Sequence, residues 1–261
     1  RSLIESAACG RAIVTTDVIG CRDLVRDGVD GLLVRPGDVE GTAAALARLG
    51  AETLLVGALG DDPFAADLRA FLSAEGLSTD LVAEVGGPSG TALITVDGGG
   101  RNTIVVVPGA NAAVDAAQAA AVPLSPADVV LLQNEIPEQT NAAVARRAAA
   151  AGARTVLNLA PYRPTSRELL DAVAVLLVNE REFAALTGED GEMDAARVRA
   201  LLRAGAGGPG DVVVTRGADG LCARVGGGLV DVGGHEVGVR DTTGAGDCFA
   251  GAFAAALVTG I

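Results

Sequence analysis

Four nearly unbroken apolar runs constrain this chain more than any other feature: ADVVLLQ ending at Gln133, RTVLNLA ending at Ala160, AVLLVN ending at Asn179, and DVVVT ending at Thr215. Each has the length of a strand, and helix-length stretches separate them. A strand apolar on both its faces is buried on both, which implies a largely parallel sheet covered by helices. The expected fold class is therefore α/β, a doubly wound sheet with helices on both faces. Apolar residues make up 49% of the chain, enough for a substantial core, but there are only five Phe, one Tyr and no Trp. Ala, Val and Leu must fill that core by close packing.

Ahead of this block, TALITVD from Thr91 and TIVVV from Thr103 alternate around Gly98-Gly99-Gly100 and predict a β-hairpin, a small lid. TLLVGALG from Thr53 predicts a strand, and a helix is expected over about 63 to 75. After DVVVT, the turn Arg216–Gly220 leads into a β ribbon, and an Ala-rich helix is expected over about 245 to 258. At the other end, AIVTT (12 to 16) and GLLV (31 to 34) read as short buried strands of a separate piece, with a helical run to about residue 49.

The formal net charge of −13 disfavours nucleic acid as a partner, because phosphate-backbone binding needs a basic surface. All 20 basic residues are Arg, so a Lys-bearing Walker A loop is excluded. Cys9, Cys21, Cys222 and Cys248 form no C-x-x-C pair and predict reduced thiols rather than a zinc site or disulfide framework. No apolar stretch is long enough for a bilayer span and the first residues lack a secretory order, so the expectation is a cytoplasmic protein with no membrane partner.

The most informative segment for chemistry is Asp241-Thr242-Thr243-Gly244-Ala245-Gly246-Asp247, placed where the last helix opens. A helix start presents unpaired N–H groups and the positive end of the helix dipole, a site for anions or for charge developing on a phosphoryl group. Asp247, in the first turn, is either a base beside that anion hole or an acidic residue that favours the dipole. Asn179 with Glu182 fits an N-cap followed by acidic residues more readily than a ligand site. Thr215 and Gly217 fit an ordinary strand-to-turn exit, and Glu135 a solvated strand end. Asp61 and Asp62, before Pro63, predict a loop and helix start rather than paired catalytic carboxylates. His235, the only histidine, lies in no ligand or nucleophile pattern and receives no function.

DTTGAGD followed by Cys248-Phe249-Ala250-Gly251 resembles the C-terminal signature of ribokinase and the PfkB-type carbohydrate kinases. VGALGDDPFAADL (56 to 68), VVVPGAN (105 to 111), LLQNEIP (131 to 137), LNLAP (157 to 161), VNEREFAALTG (178 to 188) and VTRGADG (214 to 220) resemble the same family in order. The resemblance implies a kinase domain over 45–261 that phosphorylates a sugar primary hydroxyl with ATP, with D-ribose favoured over fructose or a nucleoside. By motif position, it makes Asp247 the base and Gly244, Ala245 and Gly246 the anion hole. Asn179, Glu182, Thr215 and Gly217 would serve the nucleotide, with Glu182 also meeting Mg²⁺, directly or through water. Glu135 would bind sugar, and Asp241 and Thr243 would join a monovalent-cation loop that takes K⁺. ATP and a small sugar are the implied partners, and a homodimer is compatible with the family.

The family's opening strand and its G-G-K-G-A-N type segment have no counterpart here, and the chain ends just after the signature helix. Incomplete substrate pockets, exposed apolar faces and very low turnover are expected on that account, and a noncatalytic fragment with weak phosphate binding is the alternative. Residues 1–44, with SLIESAACGRAIVTTDVIGCRDLVRDGVDGLLVRPGD, resemble the C-terminal region of GT-B glycosyltransferases, in which Glu5 would contact a nucleotide ribose. A glycosyltransferase remnant is the reading for that piece.

Overall fold

The computed structural model describes residues 14–16, 32–34, 52–74, 76–96, 102–190, 193–208, 210–235 and 245–259. The helical run before residue 49, the glycines at 98–100, the boundary expected at 44 and 45, Glu5, and the stretch 241–244 fall outside them. Two short strands, β1 (Val14–Thr16) and β2 (Leu32–Val34), pair in parallel, at the positions expected from their apolarity. Next come β3 (Gly57–Leu59), α1 (Pro63–Ala74) and β4 (Val82–Glu84), with β3 and β4 parallel. The lid hairpin follows as β5 (Thr91–Val96) and β6 (Asn102–Val107), antiparallel over their whole length. The short helix α2 (Ala116–Ala120) is capped by the Asp115 side chain.

The remaining strands form the sheet that positions the site. In chain order they are β7 (Val129–Gln133), β8 (Arg154–Asn158), β9 (Val175–Asn179), β10 (Asp211–Thr215), β11 (Leu221–Val225) and β12 (Gly228–Val232). Their spatial order is β12-β11-β10-β9-β8-β7, with β7 to β10 parallel and β11 and β12 added as an antiparallel ribbon. The connecting helices are α3 (Glu138–Ala151), α4 (Arg167–Ala172), α5 (Glu180–Thr187) and α6 (Ala195–Arg203), and α7 (Ala245–Thr259) closes the described chain. Ser166, Asn179 and Asp194 accept from the backbone N–H of Leu169, Glu182 and Arg197 in the opening turns of α4, α5 and α6, so the capping residues fix where those helices begin.

Alternate residues of each parallel strand enter two cores. Leu132, Leu157, Leu176, Val178, Val212 and Val214 pack against α3, α4, α5 and α6. Val156, Val175, Leu177 and Val213 face the other way and pack with Ala250 and with Phe249, Phe253 and Leu257 of α7. Helices thus lie on both faces, as the doubly apolar strands require. Ala142, Ala145 and Ala148 are buried on α3, where a methyl side chain lets helix and sheet approach closely; this is how a chain poor in aromatics still fills its interior. Among the described residues, no helix is long and apolar enough to cross a membrane.

One expected element is shorter than its apolarity implied. TLLVGALG yields only the strand Gly57–Leu59, with Leu54 making an isolated bridge to Ser78. Its partner β4 has three residues, so the ladder ends where that partner ends. Asp61 and Asp62 behave as the loop and helix start expected of them. Asp62 accepts from the Ala65 N–H and from the backbone and hydroxyl of Ser89, while Asp61 accepts from the Gly87 N–H. The lid valines Val105, Val106 and Val107 are all exposed, so neither face of β6 is covered there.

Arg224 on β11 ties the loop after α6 to the sheet. Its guanidinium donates to the carbonyls of Leu202, Ala206, Gly208 and Gly210, a fork that satisfies carbonyls at a helix end and in the following turns. Arg224→Met keeps the stem and removes all four donors. It is expected to cost about 3 kcal/mol of unfolding free energy, measured as a lower urea midpoint with unchanged slope.

Candidate active site

The four parallel strands end in Gln133, Asn158, Asn179 and Thr215. Gln133 is in register with Asn158, and Asn179 with Thr215, so apolar strands terminate together in a row of polar side chains. The carboxyl edge of a parallel sheet is where α/β folds bind ligands. Onto this edge comes the start of α7, with Ala245 and Gly246 exposed and Asp247 half-buried in its first turn.

Gln133 Nε2 donates to Asp247 Oδ1 at 3.0 Å, joining residues from distant parts of the chain. Burial raises the Asp247 pKa above the usual aspartate value, and the Gln133 hydrogen bond opposes that rise. Glu135 is also raised, first by burial and then by the Asp247 charge, with Arg163 opposing. Glu182 is raised by burial, lowered by the Asn179 N–H and raised again by Asp247. The Asp247 charge thus acts on both glutamates. The fold therefore brings Glu135, Glu182 and Asp247, chosen from three separated motifs, into one electrostatic neighbourhood.

Asn179 and Glu182 form a reciprocal capping box: Asn179 Oδ1 accepts from the Glu182 N–H at 2.9 Å, and Glu182 Oε2 accepts from the Asn179 N–H at 2.7 Å. The helix-cap role that the residues alone allowed is thus present. It commits one Glu182 oxygen and leaves Oε1 for other partners. A single desolvated carboxylate oxygen suits Mg²⁺, a hard cation that keeps several waters, so the donor set fits an ion held partly through water. Among the described residues no group of three His, Cys, Asp or Glu side chains is arranged to hold a metal by itself.

Thr215 donates from Oγ1 to the Val178 carbonyl at 3.4 Å. Gly217 opens the short 3₁₀ turn Gly217–Asp219 with φ +50°, and Gly220 closes it with φ +85°. A Cβ at Gly220 would stand 2.1 Å from the Val232 carbonyl oxygen, so the turn is fixed against β12 and admits only glycine there. The Arg216 guanidinium lies between Glu180 at 3.6 Å and Asp219 at 3.5 Å, linking this turn to the first turn of α5.

Gly244, Asp241 and Thr243 lie outside the described residues, so the geometry of the expected cation loop is not part of this arrangement. Two residues of the site escaped the sequence reading. Gln133 ends an apolar run immediately before the N-E-I-P segment, and a polar residue at that place, in phase with Asn158, was the available signal. Arg163 donates to Asn134 Oδ1 at 3.2 Å and to the Ile136 carbonyl at 2.9 Å, bracing the loop that carries Glu135. Nothing local in P-Y-R-P marks it. Cys222 is buried and its thiol donates to Asp231, a structural role on the ribbon.

Comparison with known proteins gives two family matches. The profile of pfkB family carbohydrate kinases covers residues 37–261, and that of group 1 glycosyl transferases covers residues 1–52. A ribokinase of Bacillus subtilis strain 168 is 37% identical over 221 residues, spanning 84% of this chain and 72% of the relative. The structure of Arabidopsis thaliana ribokinase complexed with ribose and ATP superposes with a TM-score of 0.74 at 28% identity, over 95% of this chain and 82% of that one. Ribokinase from Thermotoga maritima does so with a TM-score of 0.70 at 28% identity, over 95% and 83%.

Proposed function

The chain belongs to the pfkB family of carbohydrate kinases, and from that premise we propose that it transfers the γ-phosphoryl group of ATP to the primary hydroxyl of D-ribose, giving ribose 5-phosphate. The observation that carries the proposal is the desolvated Asp247 carboxylate, held by Gln133 in the opening turn of α7. Ribose is preferred to fructose or a nucleoside because the ribokinases of Bacillus subtilis, Lactococcus lactis and Haemophilus influenzae all match at 31 to 37% identity. The group 1 glycosyl transferase match supports treating residues 1–44 as a separate fragment and 45–261 as the kinase domain.

In this mechanism Asp247 accepts the proton of the sugar hydroxyl while its oxygen attacks the γ-phosphorus in line, and ADP leaves. Ala245 and Gly246 at the helix start, with Gly244 assigned by motif position, would offer backbone N–H groups to the equatorial oxygens, where negative charge is spread in the transition state. Glu135 binds a sugar hydroxyl, and Arg163 holds its loop. The Thr215–Gly217 turn and Asn179 receive the nucleotide. Glu182 would hold Mg²⁺ directly or through water, and that ion when bound neutralises charge on the phosphate oxygens. Asp241 and Thr243 would hold K⁺.

The test is ATP turnover with a panel of sugars in Mg²⁺ and K⁺, where ribose should give the highest kcat/KM. Turnover with no sugar in the panel would remove the proposal. Because burial raises the Asp247 pKa and the base must be ionised, kcat should fall on the acid side with a midpoint above the ordinary aspartate range. A pH–rate profile checks this.

A further inference from the structure

We propose that Gln133 is a positioning residue for phosphoryl transfer, its side-chain amide occupying Asp247 Oδ1 so that Oδ2 is the oxygen that takes the hydroxyl proton. This rests on the kinase reading of Asp247 given above. The relay begins in the core. Asn141 on α3 is fully buried and donates from Nδ2 to the Gln133 backbone carbonyl at 2.9 Å, while its own Oδ1 has no partner among the described residues. An amide is a poor choice for a buried position in an Ala-rich helix unless its hydrogen bond is needed. Here that bond anchors the last residue of β7. From the anchored residue, Nε2 reaches Asp247 Oδ1 at 3.0 Å.

The donor's chemistry matters as much as its place. Among the described residues, the side chain that donates to Asp247 is a neutral amide, whereas the nearby cation, Arg163, is engaged with Asn134 and Ile136. A guanidinium against Asp247 would hold its pKa low and weaken it as a base; an amide orients the carboxylate at a smaller cost in basicity. The other charged groups that act on this neighbourhood are Glu135 after β7 and Glu182 on α5, which both sense Asp247, and Arg163, whose charge opposes the rise at Glu135.

Gln133→Leu removes the donor and keeps the bulk, with Gln133→Met as a second variant should Leu lower the melting temperature. The expected result is a kcat lower by about 10- to 100-fold with both KM values within about threefold, since orientation rather than binding is lost. A donor to the ionised form lowers a carboxyl pKa, so its removal should move the acid limb of kcat to higher pH. Glu135, Glu182 and Arg163 are common to both proteins, and the displacement isolates the Gln133 bond. The Asp247 carboxyl is also titrated directly, by ¹³C-carboxyl NMR with Asp247→Asn providing the assignment, and its midpoint should rise in the Gln133 variants. An unmoved Asp247 midpoint in both variants overturns the inference whether or not the wild type turns over. An inactive wild type overturns the kinase reading and the base role with it, so the two failures are distinguishable.

Discussion

Asp247→Asn is expected to lower sugar-dependent ATP turnover by about 10³-fold while leaving the fold intact, because a positioned general base contributes typically 10²- to 10⁴-fold and Asn cannot accept the hydroxyl proton. The Asn side-chain oxygen can still accept from Gln133 Nε2, so the local geometry survives the exchange. Stability should move the other way. Burial is the main cause of the raised Asp247 pKa, so the native state binds this proton more readily than the unfolded chain does. Above the native pKa, the ionised carboxylate therefore costs stability, and that cost disappears as pH falls through the native value towards the unfolded one. Asn lacks the charge at every pH. The variant should melt at or above the wild-type temperature at neutral pH, with the difference shrinking as pH is lowered. Relief of repulsion on Glu135 and Glu182 works in the same direction. Retained turnover in Asp247→Asn would place the base elsewhere; lost turnover with a lower melting temperature would make the effect structural.

Part of the candidate site is legible in the sequence itself. DTTGAGD marked the start of α7, and the motifs holding Glu135 and the Asn179–Glu182 pair marked two more segments of the candidate site, because each signal is local, a few residues of given type and order. DVVVT gave Asp211–Thr215 with both ends correct, since a strand buried on both faces is apolar throughout and stops where polarity returns. TLLVGALG misled for the opposite reason. Its apolarity matches burial only at Ala58 and Leu59, while Leu54 is exposed, and the length of the ladder is set by β4, a partner more than twenty residues on. The polar end of an apolar run marks Gln133, but its role depends on which helix arrives beside β7, and the partner is 114 positions away. Arg163 is similar at 29 positions from Asn134. Type and spacing find residues that do chemistry themselves. They do not find residues that act through another, whose meaning exists only after the strands and helices are assembled.

The dependence of the site on assembly leads to the largest expected loss of stability, at Phe183. This side chain is the largest that is fully buried among the described residues, packed with the helices α3 to α6 over one face of the sheet. It sits on α5, a helix of eight residues, too short to be stable alone in water. The capping box at Asn179 and Glu182 fixes the start of that helix, but packing of Phe183 holds it down. Phe183→Ala should cost about 3 to 5 kcal/mol, as the transfer energy of the ring adds to the cavity it leaves. Against a typical total of about 5 to 15 kcal/mol, that loss threatens the fold at working temperature. Phe183→Leu, which refills most of the volume, should cost about 1.5 kcal/mol. Urea unfolding of the three proteins measures the series, with midpoints falling in the order Phe, Leu, Ala at constant slope. Because Glu182 precedes Phe183, the Ala variant should also lose turnover at temperatures where it is still folded. A Phe183→Ala protein as stable as the wild type would mean that the sheet and the other helices fix α5, and that the site is held from its cap rather than from its core.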